Sequence, residues 1–399
     1  MIILSIETSC DETAVSIVEA TGELESPSFT VLGNALFSQI EIHKKYGGVY
    51  PMLAKREHAR NLIPLLTIVL KESNLISKSQ ITNYKKPNNQ KFKEIEKILE
   101  REEGLFEPFK EYLENLDRPD IDLIAVTSGP GLEPALWVGI SFAKALGELW
   151  GISVTGVNHM EGHIASVLLE TDEVKSQKSK VKIQFPALAL LISGGHTELV
   201  LSEGWGKYRI LGQTRDDAVG EAFDKAARML DLPYPGGPEI SRLAESARKN
   251  NIPHKAKLPR PMFHSNDLNF SFSGLKTAVL YYIRDHSPLS SEDKADLARE
   301  FEDSVIDVLV KKTKDAIMET GAKTLIVAGG VIANKRIREV FTDLKSSYQG
   351  LIVKIPTKSL ATDNALMIAF ATYINVMLGQ NLTTSSDNII ANGNLRLEK

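Results

Sequence analysis

Twice in this chain an apolar strand runs into a polar turn and comes back as a second strand. Met1 to Ile6 enters Glu7-Thr8-Ser9-Cys10-Asp11-Glu12 and continues as Ala14 to Glu19. Phe185 to Ile192 enters Ser193-Gly194-Gly195-His196-Thr197 and continues as Glu198 to Leu201. Apolar runs bounded by turn residues read as strands, and the same opening in both halves of the chain predicts a duplicated α/β unit. Two unrelated hairpins are the alternative. The intervening patterns fit the duplication. Asp122–Thr127 and Thr324–Ala328 read as strands, and Ala135–Trp150, Ala218–Leu230, Ala295–Glu319 and Ala365–Leu378 read as helices. Alternating strands and helices indicate α/β layers, with the ligand cleft expected between the halves. The expected division is 1–170 and 183–399, which agrees with about 150 residues per domain for a chain of 399.

Composition narrows the partners. With 47 basic against 51 acidic side chains the net charge is −4, so nucleic acid could be held only by a local patch or through a partner. The single cysteine, Cys10, excludes a disulfide framework and a cysteine-only metal cage. No apolar run reaches the 18 or more residues of a membrane span, and the first residues do not read as a signal peptide. The expectation is a cytoplasmic protein. Ser77 to Pro119 stands apart, with nine cations and nine anions, and reads as a solvated, partly helical insertion. Thr171 to Lys182 reads as a second, smaller one.

His159-Met160-Glu161-Gly162-His163 places two imidazoles on one face of a helix, the spacing for two metal ligands. Glu161 occupies the wrong position for the zincin general base, and a pair of ordinary surface histidines is the alternative. Asp363 is a candidate third ligand, with a helix N-cap as its other reading. Four Gly-containing turns, at 129–131, 193–197, 236–238 and 328–334, could present amides to an anion. None matches a P-loop or GxGxxG. Asp224 needs either a ligand diol or an ion pair to Arg228 at i+4.

Taken together, Glu7–Thr13, His159–His163, Ser193–Thr197, Gly220–Lys225, Tyr234–Pro238, Phe270–Lys276, Gly329–Asn334 and Thr362–Asn364 occur in an order that resembles the tRNA threonylcarbamoyladenosine synthase family. That family was formerly described as an O-sialoglycoprotein endopeptidase. The resemblance implies two actin- or Hsp70-like halves. It implies transfer of threonylcarbamoyl from threonylcarbamoyl-AMP to N6 of adenosine 37 in tRNAs that read codons beginning with A. It implies one divalent ion, Fe(2+) ahead of Zn(2+), on His159, His163 and Asp363. The nucleotide is then expected at Leu191, Ile192, Ser193, Gly194, Gly195, Asp224, Gly237 and Asn334, and at Ser241, where some relatives carry Asp. Asp11 matches an acid near the reaction centre. The implied partners are a paralogous subunit of the same fold and a small ATPase, with a homodimer as the other arrangement. An ATPase or kinase of the same fold and a metalloendopeptidase are the competing readings. Two features depart from the family pattern: Glu133-Pro134 after the Gly-Pro-Gly turn, and the tail Asn392–Leu397.

Overall fold

The computed structural model describes residues 1–75, 87–169, 182–380 and 388–398. Each expected strand pair seeds a five-stranded sheet. In the first, β1 (Ile2–Glu7), β2 (Glu12–Glu23) and β3 (Ser26–Ser38) form an antiparallel meander. β4 (Leu123–Gly129) and β5 (Ser153–Asn158) extend it in parallel on the other side of β1, giving the order β3-β2-β1-β4-β5. In the second sheet, β6 (Ala187–Ile192), β7 (Thr197–Gly204) and β8 (Lys207–Gln213) form the meander. β9 (Thr324–Ala328) and β10 (Ile352–Lys354) run parallel to β6, so the order β8-β7-β6-β9-β10 repeats the plan of the first. β1, β6 and β9 are almost entirely buried, as expected of strands covered by helices on both faces.

The helices follow in chain order. α1 (Ile40–Lys44), α2 (Pro51–Ser73), α3 (Asn89–Leu99), α4 (Phe106–Leu113), α5 (Glu133–Trp150) and α6 (His159–Ala165) belong to the first part of the chain. α7 (Val219–Met229), α8 (Gly236–Lys249), α9 (Ser273–His286), α10 (Ser291–Thr320), α11 (Lys335–Ser347), α12 (Lys358–Ala361) and α13 (Ala365–Met377) follow the second opening. α10 starts where Ser290 and Asp293 cap it reciprocally, satisfying amides that have no partner inside the helix. Among the described residues, no helix is long and apolar enough to cross a membrane.

The chain ends by returning to its beginning. α13 is apolar nearly all round and packs against β1, β2 and α6, with the Ser5 hydroxyl donating to Ala365 O at 2.8 Å. The tail then lies against the β4–α5 connection: Asn392 N–H donates to Ser128 O at 2.9 Å and Gly131 N–H to Gly393 O at 3.2 Å. Glu133 Oε1 accepts from Gly393 N–H at 3.4 Å, so this carboxylate is turned toward the tail. Leu397 is buried in the core beside Ile3 and Met160.

One expectation is overturned. The insertion is not a solvated excursion where it is described: α3 and α4 bury Phe92, Ile95, Leu99, Leu105, Phe109 and Leu113 in the same core as α2 and α5. Its charges line the outer faces, and Glu102, almost fully buried, accepts from Ser141 Oγ at 3.1 Å and pairs with Lys55 Nζ at 3.2 Å. Residues 77–86, like nearly all of the second insertion, lie outside the described residues. Phe109 is fully buried edge-on to Phe142, with ring centroids 5.9 Å apart. Phe109→Ala is therefore expected to cost about 3–5 kcal/mol in denaturant unfolding, against less than about 0.5 kcal/mol for exposed Lys93→Ala. Equal, small effects would restore the solvated reading.

Candidate active site

The candidate metal-ligand residues come from distant parts of the chain. β5 ends at Asn158, whose side chain accepts from Met160 N–H at 2.8 Å and starts α6, so His159 and His163 project from one face of this short helix. Asp363 stands just before α13. That helix is capped by Asn364, which accepts from Met367 N–H at 3.0 Å and leaves the Asp363 carboxylate to the site. The capping alternative thus falls to its neighbour. Asp363 Oδ1 lies 3.4 Å from His159 Nε2 and 3.2 Å from His163 Nε2, and one donor atom from each residue falls within a span of 4.8 Å. Two imidazole nitrogens and a carboxylate oxygen suit iron or zinc. Both ring nitrogens of fully buried His163 lack a hydrogen-bond partner among the described residues, an arrangement costly without a ligand. The residues fit a divalent ion.

Glu7 orients this trio. It is fully buried at the end of β1, where Oε1 accepts from Ser9 N–H at 2.5 Å and Oε2 accepts from Thr127 Oγ1 at 2.5 Å. His159 Nδ1 lies 3.1 Å from the same Oε2 and donates to it, so Nε2 is the nitrogen turned toward Asp363 and the one a bound metal would take. Burial disfavours the His159 cation, but Asp363 and Glu7 outweigh it and raise the pKa well above the usual imidazole value. Burial would likewise raise Asp363, yet the two histidines hold it far below the carboxylate range. His196, from the second turn, is held neutral near pKa 4 by burial and by His159 and His163, which places its ring within their field. Sequence reasoning singled out neither Glu7 nor His196 individually.

The first turn brings a row of acids to the same place. Asp11 and Glu12 are each about nine-tenths buried. Burial raises both carboxyls, and the neighbouring Asp11 and Asp363 charges raise Glu12 the more strongly. Burial, with Asp11, Asp363 and Glu12 nearby, keeps the Cys10 thiol protonated. His58, on α2, fixes the turn: Nε2–H donates to Cys10 O at 3.0 Å while Nδ1 accepts from Thr13 Oγ1 at 2.7 Å. Burial lowers its pKa to about 4, consistent with this neutral form. Tyr234 faces Asp11 and Asp224 from the second half, and burial together with those carboxylates raises its phenol.

The expected nucleotide residues gather around the second turn. Leu191 and Ile192 are fully buried in β6 and can meet a ligand only through their backbone. The turn closes through Ser193 N–H to His196 O at 2.9 Å and His196 N–H to Ser193 Oγ at 3.0 Å. Among the described residues, no internal bond takes the amides of exposed Gly194 and Gly195. Two further glycines let the neighbouring backbones approach. A Cβ on Gly220 would stand 2.7 Å from Ser193 O, and one on Gly329, at φ +98°, would stand 2.4 Å from Ile192 O. Asp224 does not pair with Arg228 at i+4: Oδ1 accepts from Gly236 N–H at 2.7 Å at the start of α8, and Arg228 reaches Gly47 O at 2.6 Å instead. Gly237 opens onto free space, and Ser241 is half-buried one turn further along α8. Asn334 caps α11 through Ile337 N–H at 3.0 Å and donates to buried Glu302 at 2.8 Å, so its side chain is already engaged. A separate cavity of about 540 Å³ lies behind α6, lined in part by Asn158, Glu161, Asn375 and Arg396.

Because Glu7 sets the His159 tautomer, Glu7→Gln should weaken divalent-ion affinity about 10–100-fold in chelator competition while the protein stays folded. An unchanged affinity would show that His159 needs no such partner.

A sequence model of the family "tRNA N6-adenosine threonylcarbamoyltransferase" matches residues 30–83 and 95–370. The tRNA N6-adenosine threonylcarbamoyltransferase of Polynucleobacter asymbioticus is 42% identical over 395 residues, covering 97% of this chain and 95% of that one. The enzyme of the same name from Nitrosospira multiformis is 39% identical over 398 residues, covering 100% and 98%. Among solved structures, component A of the (R)-2-hydroxyglutaryl-CoA dehydratase of Acidaminococcus fermentans aligns with a TM-score of 0.45 and 11% identity, covering 94% of this chain and 99% of that one. The family match and the near full-length relatives agree on one assignment: the chain belongs to the tRNA N6-adenosine threonylcarbamoyltransferase family.

Proposed function

We infer that this cleft transfers the threonylcarbamoyl group of threonylcarbamoyl-AMP to N6 of adenosine 37 in tRNAs reading codons that begin with A, with release of AMP. Family membership over nearly the whole chain carries this reading, and the juxtaposition of Asp11, the histidine–aspartate trio and the Ser193–Gly195 turn supports it. The chain is then an acyltransferase acting on tRNA. Its metal is Fe(2+) in our reading, its compartment the cytoplasm, and its partners a paralogous subunit of the same fold and a small ATPase. The two sheets with their helices act as the two halves, but the boundary is not a simple cut into 1–170 and 183–399, because α13 and the tail return to pack on the first sheet.

N6 of adenosine is a weak nucleophile because its lone pair is delocalised into the ring, so the acceptor needs a base and the donor an activated carbonyl. N6 attacks the carbamoyl carbon, the C–N bond forms, and the C–O bond to phosphate breaks, with AMP leaving on the electron pair. Asp11, whose carboxyl burial raises, takes the N6 proton. The amides of Gly194 and Gly195 receive the phosphate charge as it develops. Asp224 keeps the start of α8 in place for the ribose, with Gly237 and Ser241 beside it. His159, His163 and Asp363 would hold a divalent ion, which would supply Lewis acidity to the cleft. Neutral His196 keeps its ring beside that trio without adding charge.

A peptidase reading does not suit the geometry. Glu161 lines the separate cavity behind α6 and accepts from Asn375 Nδ2 at 2.9 Å, so no carboxylate of the helix motif serves as base beside the histidines.

Purified protein given tRNA and threonylcarbamoyl-AMP should yield the modified nucleoside by mass spectrometry, and ATP alone should turn over little. Under those conditions Asp11→Asn should lower kcat at least about a hundredfold with little change in KM for tRNA. His159→Ala with His163→Ala should remove the metal, leave a folded protein, and cost at least about a hundredfold in transfer. Full activity of the double variant in the presence of a chelator would refute the catalytic role of the trio.

A further inference from the structure

We propose that the loop from Lys44 to Met52, together with Arg56 of α2, is the surface on which the unpaired bases of the tRNA anticodon loop stack. The proposal rests on the transfer reading above and adds where the RNA is held. A chain with a net charge of −4 needs a local surface for phosphate and base, and this loop has both elements. Tyr46 and Tyr50 are 58% and 59% exposed, with their rings stacked at 6.3 Å and 27°, and Met52 beside them is 60% exposed. Lys45 Nζ lies 5.3 Å from the Tyr46 ring centre, and Arg56 is exposed on the first turns of α2. Lys44 is shared with Glu41 at 3.5 Å, so Lys45 and Arg56 carry the positive charge that phosphate would meet. α2 opens directly after Tyr50 without a side-chain cap, which adds its positive end to the same face.

The loop is tied to the chemistry on both sides. Tyr50 N–H donates to His43 Nδ1 at 3.3 Å, and His43 Nε2 donates to Gln39 Oε1 at 3.2 Å. Gln39 N–H in turn donates to Asp11 O at 2.9 Å. At the other end, Arg228 of α7 donates to Gly47 O at 2.6 Å, one helical turn beyond Asp224. The aromatic pair therefore stands at the rim between the Asp11 turn and the helix carrying Asp224. An adenosine entering from there arrives unstacked, with its flanking bases offered two aromatic faces and its phosphates two cations. Aromatic faces interleaved with cations suit single-stranded RNA loops.

The test is fluorescence anisotropy with the wild-type chain and a labelled anticodon stem-loop RNA across a salt series. Tyr46→Ala with Tyr50→Ala should weaken binding at least about tenfold, whereas Tyr46→Phe with Tyr50→Phe should stay within about twofold, since stacking needs the ring and not the hydroxyl. Lys45→Ala with Arg56→Ala should flatten the slope of log K against log salt by roughly 1.4, at about 0.7 per phosphate contact. AMP affinity and the melting temperature should not move in any of the three. Unchanged RNA binding in the alanine pair, as expected if the patch takes a protein partner or a second copy, would overturn the proposal. So would an equal loss in the phenylalanine pair, or no salt-dependent RNA binding by the wild-type chain. Failure of the transfer reading shows itself separately, as tRNA that the wild-type chain binds but does not modify.

Discussion

A carboxylate with no exposure to water must have its lone pairs met, and Glu7 meets them with groups from three parts of the chain. The Ser9 amide belongs to the first turn, Thr127 to β4, and His159 to the helix after β5. Leaving a buried carboxylate unpaired would cost several kcal/mol, so the end of β1, the parallel strand beside it and the start of α6 are bound to a single arrangement. The position of His163 follows, because it lies one turn along the same helix. Asp363 reaches the pair because α13 is too apolar to lie anywhere except against the first sheet. The metal trio is in this sense a consequence of core packing at the two ends of the chain.

The second half supplies a different kind of constraint, made of close backbone approach. Gly220 lets α7 press against the Ser193 turn, and Gly329 lets the end of β9 press against Ile192 at the end of β6. The tail joins the two systems. It bonds to Ser128 and Gly131 of the first half, its Arg396 carbonyl accepts from the Asn158 side chain, and Glu398 accepts from Ile210 N–H of β8 at 2.5 Å. Asn158 is also the cap of α6, so the tail helps seat the helix that carries the histidines.

Local patterns were the most legible part of the sequence. The two strand–turn–strand openings, the helix after Gly129, and the shared face of His159 and His163 all depend on spacing within a few residues. The burial of α3 and α4 was legible too, in the spacing of Phe92, Ile95 and Leu99, but eighteen charges in the same stretch masked it. What spacing does not carry is choice among distant partners. Asp224 and Arg228 have the right interval for an ion pair, yet each finds a better partner far along the chain, at Gly236 and Gly47. Glu7, Asp11 and Glu12 look alike in one polar turn. Only the fold separates the acid that orients a histidine from the two whose carboxyls burial raises.

In the proposed centre, His159, His163 and Asp363 hold one metal ion and the nearby Cys10 thiol stays out of it. X-ray absorption at the metal edge of the purified, iron- or zinc-loaded protein tests this directly. Nitrogen and oxygen scatterers at about 2.0–2.2 Å, with the multiple-scattering signature of two imidazoles and no sulfur shell, are the predicted result. A sulfur scatterer near about 2.3 Å would mean that Cys10 ligates the metal, and a spectrum without imidazole would mean that the ion sits elsewhere; either would overturn the three-residue centre.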